Sequence, residues 1–493
     1  VSEQVRALKG AQMNALESGQ IRGLTTAQVR LLVSGQIATL DVMRIGALSS
    51  PQLQAMSGQL GALSTEQVGW LSGGQLRGLL NVQLTTLRSE QLLAIESGDL
   101  RSLTSGQIAG LRSEQVKLLS EAQVGALQSE QLRGLTSGQV RALETADVRM
   151  LAIQQLGVEQ LRAMSSDQVM LLGSDQVRML RNDLVLALVT GQLRALQGAQ
   201  LNALEGGQIR GLTTGQLRLL VSGQIAMLDL IRIGALSTSQ LQAMGGQLGA
   251  LSTEQVGWLS GGQLRGLLSG QLTSLRSEQL QAIATDAFGS LLSSQIISLS
   301  TQRIVTLSTK QVAAFSSLQI RALTTAQLNA LTSQVSAIET EDVAALTSGQ
   351  LQRLSTQIIN LLSTSQIIAL STMQVPMLVT TQLRAFSMDQ IMALETRDIR
   401  MLTSNQARSF TVSFLNALST SGIPSLNTSA FRALDSFQMS ALSSQQLAAV
   451  TPIQLAALPT SQMQFFKDRP EGFRLSDSQQ NALSKSQMDA LYL

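Results

Sequence analysis

Serine, threonine, aspartate, glutamate, a few lysines and one tyrosine, Tyr492, are the side chains with reactive capacity in a chain of 493 residues that holds no histidine and no cysteine. The usual general base, the commonest zinc ligand, the thiolate nucleophile and the disulfide are therefore all missing. Ser and Asp recur so evenly that no nucleophile–base pairing, glycine-rich phosphate loop or metal-ligand spacing stands out. The expectation is a protein that is not an enzyme, with no catalytic residues, no metal and no cofactor. Glutamine is the polar residue with a strict spacing, and that spacing points to structure.

Residues 104–135, "TSGQIAGLRSEQVKLLSEAQVGALQSEQLRGL", state one eight-residue unit four times. Aligned on its closing Leu, the unit has Ser, Thr or Gly at position 2, Gln at 4, Ile, Val or Leu at 5, a small residue at 7 and Leu at 8, and about sixty such octads cover most of the chain. A strand would send positions 5 and 8 to opposite faces, whereas a helix brings them together. One continuous helix fails too, because eight residues at about 100° each overshoot two turns by about 80° and wind the apolar stripe round the rod. The helix must stop and restart in every octad.

Ser or Thr at position 2 is the expected N-cap. Acidic residues at position 3, such as Glu3, Glu66, Glu114 and Glu130, then fall in the first turn, where the helix dipole favours them. Pro51 falls at the expected first helical position, and Pro376 and Pro424, both at position 6, imply helices so short that one lost bond is tolerated. Two large aliphatics cannot offset the ordering entropy of eight residues, so neighbouring octads must supply the rest. The fold class that follows is all-α: a solenoid of very short helices, two or three octads to a coil, capped at its C-terminus. Small residues at position 7, such as Gly110, Ala126 and Ala142, let neighbouring helices approach. Gln at position 4 has two readings, a solvent-facing residue near a helix start or a ladder bonded to its own kind or to the next coil's backbone. Asp99, Asp147, Asp342, Asp398, Arg44, Arg232 and Arg303 occupy the same slot.

A longer period overlies the octad. Residues 5–103 recur, offset by 188, as 193–291, and even the seven-residue units at 57–63 and 245–251 are copied. Short units are also read at 332–338 and around 355–362, and an insertion at 152–160. Three segments result: a first repeat block at 1–188, a second at 189–458 that duplicates the first to about 291, and a C-terminal cap at 459–493. The chain opens at Val1 without a charged-then-apolar leader, which suggests processing or a longer parent.

The paired octads "DVMRIGAL" (41–48) and "DLIRIGAL" (229–236) put Val42, Met43, Leu230 and Ile231 where neighbours carry Ser and Gly. They are candidates for self-association, or else a buried corner of the coil. Val33, Leu80, Val189, Val221 and Leu268, at position 1, carry the same two readings. Trp70 and Trp258, beside Gly69 and Gly257, are read as core plugs in preference to sugar-stacking or partner-binding aromatics. Phe465, Phe466 and Phe473 surround "DRPEG" in the last segment, as part of an end cap or as a polymerisation contact.

The units "LTTAQVRLL" (24–32) and "LTTAQLNAL" (323–331) resemble the Leu-Thr-Thr-x-Gln-Val repeat tracts of very large bacterial secreted or surface proteins, often labelled heme-utilisation or adhesion proteins. That resemblance implies an extracellular structural or adhesive role. It does not extend to heme, since no His exists and Met13, Met56 and Met164 sit at core spacing. The same units look like the opening of the DNA-reading repeats of plant-pathogen effectors, but the base-reading loop of those longer repeats is absent.

Charge fits a partner of the same kind. Against 35 Lys and Arg stand 32 Asp and Glu, a net +3, with no basic run that would track nucleic acid and no apolar run long enough for a membrane helix. The expected function is a non-enzymatic structural protein of the bacterial exterior, extracellular or on the cell surface, self-associating into a filament, sheath or surface layer. The alternatives are a monomeric adhesin stalk, which would meet cell-surface components, and a peptide-binding solenoid scaffold.

Overall fold

The computed structural model describes residues 2–467 and 474–492. Every regular element among them is a helix, most of four to six residues, with no strand. The chain divides into two compact units, Val1–Leu251 and Ser252–Leu493. Each is a solenoid built from the same local event.

Helix Ser105–Gly110 shows that event. Thr104 is extended at φ −71°, ψ 157°, and its Oγ1 accepts the Gln107 amide N–H at 3.2 Å, while Gln107 Oε1 accepts the Thr104 amide N–H at 2.8 Å. This reciprocal box satisfies two of the donors that a helix start leaves over. Leu111 then returns to extended backbone at φ −63°, ψ 146°. Positions 8 and 1 are thus the break between successive one-turn helices, and the backbone rewinds every octad.

The cap is one residue earlier than the sequence reading places it. Position 1 is the N-cap and position 2 the first helical residue, so that Gln falls at the third helical position, where a capping box needs it. Pro51 accordingly occupies the second helical position after the cap Ser49. Where position 1 holds no capping side chain, as at Val33, the glutamine half of the box survives, with Val33 N–H donating to Gln36 Oε1 at 3.0 Å. Pro376 lies in a 3₁₀ turn, Val375–Met377, and Pro424 in the four-residue helix Gly422–Ser425, both as short as expected. Glu66, Glu114 and Glu130 lie in first turns.

Positions 5 and 8 form the core, as in Ile108 and Leu111, which are buried together with Leu76, Leu79, Val140 and Leu143 from the coils on either side. Each helix packs on the third one along, Ser105–Gly110 against Ser129–Gly134 for example. In coils of regular octads, bonds between successive coils join residues 25 to 31 apart. A coil therefore takes more than three octads and fewer than four, where two or three were expected. The half-step sets helix ends of one coil against helix starts of the previous one. It explains position 7: a Cβ on Gly134 would lie 2.8 Å from the Ser105 carbonyl oxygen, and one on Gly110 3.1 Å from Asn81. The close approach is between positions 7 and 2 of helices three apart.

Irregular units keep this register. Gln52 and Gln91, on either side, donate back over 31 and 28 residues, but Gln67 and Gln75, whose coil includes the seven-residue unit 57–63, donate over 30 and 27. The one missing residue shortens the path by one. At 152–160 the structure has a shortened unit in place of an insertion. Residues 152–156 form a five-residue unit around the 3₁₀ turn Ile153–Gln155, and Gln168 donates over 28 and 25 residues, shorter by the three that this octad lacks. The stretch 355–362 is a full octad whose glutamine slot holds the buried Ile358. In the segment 459–493, helices Thr460–Lys467 and Lys485–Tyr492 pack together, and Gln479 and Gln487 donate to the carbonyls of Val450 and Leu458 as octad glutamines do.

Candidate interaction surface

Glutamine at position 4 is buried from Gln36 onward in most octads, which rules out the solvent-facing reading. Gln139, at 1% exposure, is typical. Its Oε1 accepts the Thr136 N–H at 2.7 Å, and its Nε2 donates to the carbonyls of Ile108 at 2.7 Å and Leu111 at 2.8 Å, four octads earlier. Helix C-termini leave carbonyls without intrahelical donors, and a one-turn helix consists largely of such ends. The amide of each glutamine thus caps its own helix start with one end and a previous coil's helix end with the other. Gln12 and Gln20, with no coil behind them, are exposed. Position 6 ties in the other direction: Asn202 Nδ2 donates to Met227 O at 2.8 Å and Gln281 Nε2 to Thr306 O at 2.7 Å, three octads on. Arginine also collects at this position, a pattern the sequence reading did not pick out. Arg384 Nε donates to Ser409 O at 3.1 Å, and Arg178 pairs with Asp175 at position 3, 3.2 Å away. The signal was available in the sequence, since a cation in the last turn suits the helix dipole.

Replacements in the glutamine slot solve the same problem in different ways. Arg44 donates to Leu16 O at 2.8 Å and pairs with its own N-cap Asp41 at 3.1 Å, and Arg232 repeats this with Leu204 O and Asp229. Arg303 donates to the carbonyls of Leu275 and Thr273. An aspartate carboxylate has no donor for those carbonyls, and Asp99 and Asp342 bond to donors of the previous coil instead. Asp99 accepts the Gly73 N–H at 2.7 Å and Asp342 the Ser317 hydroxyl at 2.6 Å. Asp398 is fully buried and neither carboxylate oxygen has a hydrogen-bond partner; burial, with Glu395 adding, pushes its carboxyl up against the pull of Arg397. Asp147 is pushed up by burial and by Glu144 and Glu121.

The interior is thus spoken for, and what is left for a partner is the outside. Val42 and Met43 lie in the first turn of helix Val42–Ala47, 46% and 61% exposed. The buried-corner reading fails because this helix is regular, capped by Asp41, and presents positions 2 and 3 away from the core. In helix Leu230–Ala235, Ile231 is exposed and Leu230 half-buried. The position 1 residues Val33, Leu80, Val189, Val221 and Leu268 are exposed as well. Phe465 is half-buried and Phe466 buried on helix Thr460–Lys467, while Phe473 lies outside the described residues. Within the first unit, helix Val42–Ala47 packs on Ser18–Gly23, and Leu230–Ala235 on Gly206–Gly211.

The tryptophans are not core plugs. Trp258 is 56% exposed and Trp70 half-buried. Position 7 abuts position 2 of the helix three before it, at the outer end of the contact, so a large side chain there has no interior to enter. Among the described residues no helix is long and apolar enough to cross a membrane. The grooves are open; one, of about 710 Å³, is lined by Arg149, Met170, Asp175 and Gln197 among others.

Comparison with known proteins agrees on the repeat. The family described as ALTTAQ repeat matches residues 5–42, 92–129, 296–333 and 335–372. No curated protein matches the chain in sequence. Among solved structures, a chain of the homology model of the full-length AP-3 complex in an intermediate open conformation aligns over 98% of this chain and 83% of that one, at 12% identity and TM-score 0.16. The structure of APUM23-GGAGUUGACGG aligns over 92% of each chain, also at 12% identity and TM-score 0.16. This chain is a helical repeat protein with four stretches similar to the ALTTAQ repeat.

Proposed function

We propose that the protein is a non-enzymatic structural component of the bacterial exterior that associates with copies of itself into a filament, sheath or surface layer. The observation that carries this reading is the set of outward apolar side chains, Met43 at 61% and Ile231 at 66% exposure among them, on helices whose polar groups are already committed to the coil. Burying the exposed remainder of such residues between copies returns about 1–2 kcal/mol each, and a net charge of +3 opposes the approach of copies only weakly. Glutamine and the capping hydroxyls do structural work, which leaves little chemistry on the surface for catalysis.

Sedimentation velocity and electron microscopy over a range of concentrations test it. Assembly that rises with concentration, and that falls in M43S/I231S with helicity kept, is the expected result. Monomers at every concentration would replace this reading with that of a monomeric adhesin stalk or a peptide-binding scaffold.

A further inference from the structure

One surface feature lies outside the self-association reading. The two tryptophans both stand at position 7, each after a glycine at position 6. Gly69 lets the Ala94 carbonyl oxygen of the helix three along come within 3.1 Å of where a Cβ would be, and Gly257 does the same with Ala282 at 2.7 Å. That approach holds the indole at the lip between two helices. At Trp70 the lip is a cavity of about 360 Å³ lined by Thr65, Glu66, Gly69, Trp70, Ala94 and Glu96. Glu66 lies in the first turn of helix Thr65–Gly69, four residues before Trp70. Glu96 is the N-cap of helix Ser97–Leu100 but makes no side-chain cap bond. Among the described residues neither carboxylate has an ion-pair partner, and the Glu96 side chain makes no cap bond. Two exposed acidic groups and a half-buried indole thus line one recess.

The sequence marks the same place independently. Between the duplicated blocks, residues 58–80 and 246–268 are identical throughout, the longest unchanged run in the alignment, and Gly-Trp lies inside it. The flank differs: Glu66 is matched by Glu254, but Glu96 by Ala284. The second copy is an incomplete version of the first.

We infer that the recess at Trp70 binds a guanidinium group, of which an arginine side chain of a partner protein is the biological instance, by stacking on the indole between Glu66 and Glu96. A flat cation with in-plane donors suits this arrangement, since its face meets the indole and its edge meets carboxylates on either side. A sugar would stack as well but would leave two negative charges unanswered.

Fluorescence of the full chain tests this, because W258F leaves Trp70 as the only tryptophan. N-acetyl-arginine amide at low ionic strength is expected to change Trp70 emission saturably, and the neutral N-acetyl-citrulline amide to leave it unchanged. E96Q should weaken binding roughly four-fold, the factor for one unit charge about 5 Å away in water, and E66Q/E96Q should remove it. The reciprocal chain, W70F, reads Trp258 with Ala284 in place of the second carboxylate and should bind more weakly than W258F by a similar factor. The inference is overturned by an unresponsive Trp70, by an equal response to the citrulline analogue or to a neutral methyl glycoside, or by a response that E66Q/E96Q preserves.

Discussion

Replacing Gln139 by methionine keeps the volume of the side chain and removes its four hydrogen bonds, the weakest a 3.4 Å contact with the half-buried Ala109 carbonyl. The carbonyls of Ile108 and Leu111 lose their donor in a buried setting, and the Thr136 N–H loses its acceptor at the half-buried helix start. Ile108 O retains the Leu111 N–H at 3.1 Å, so its loss is partial. With about 1–3 kcal/mol for each buried group left unpaired, and less for the accessible N–H, the expected cost is about 2–4 kcal/mol. Repeat arrays respond locally, since stability is a sum over units and their interfaces. Hydrogen exchange read by mass spectrometry is therefore the assay, with protection compared over residues 104–111 and 136–143 and over distant coils. Gln12→Met supplies the control, because Gln12 is exposed and reaches no earlier coil. If Gln139→Met lowers local protection no more than Gln12→Met, within about 0.5 kcal/mol, the glutamines are not what joins the coils and the account of the fold is wrong.

Asp398→Asn should stabilise its coil at neutral pH and leave it unchanged near pH 3.5. A carboxyl whose folded value is raised above its ordinary 3.8 gives stability that is full below that value and lost as pH rises through the raised one, and exchange protection of residues 395–402 against pH would show this. Asp147 should follow the same sign, so protection near 144–151 should also fall from pH 3.5 to pH 8 in the native chain, and Asp147→Asn should flatten it. Gly257→Ala should cost about 1–3 kcal/mol of local stability, since its Cβ meets backbone at 2.7 Å, while Gly262→Ala, with open space around it, should be neutral or slightly stabilising. Phe288→Ala should cost about 3–5 kcal/mol, because Phe288 is fully buried with the Phe315 ring 5.8 Å away; circular dichroism in denaturant against the parent chain would measure it.

The octad was legible because its signals are local. The odd separation of positions 5 and 8, the overshoot of an unbroken helix and the acid at position 3 all lie within eight residues, and they were enough for one-turn helices with a common core. What was not legible lies a coil away. The partners of Gln139 are 28 and 31 residues before it, and their place depends on how many octads close a coil, which no local pattern states. One clue was there: glutamine recurs more strictly than the capping hydroxyl, as in the octads begun by Arg88, Arg112 and Gln128, and an exposed residue would have drifted. For the candidate surface, residue type marks Val42 and Met43, and the structure leaves both exposed. Trp70 was misjudged because the small residues at position 7 look like core packing when they mark contact between helix ends near the surface.

The glutamine bridge also has a direction. Each amide seizes carbonyls that the ribosome made some thirty residues earlier, so every segment can set as soon as the next coil emerges, with no need to await distant sequence. Growth of this kind is vectorial, keeps contact order low, and exposes only a short unfinished tail to mispairing with its many near-identical copies. A chain that repeats itself so closely would otherwise be at risk of pairing out of frame.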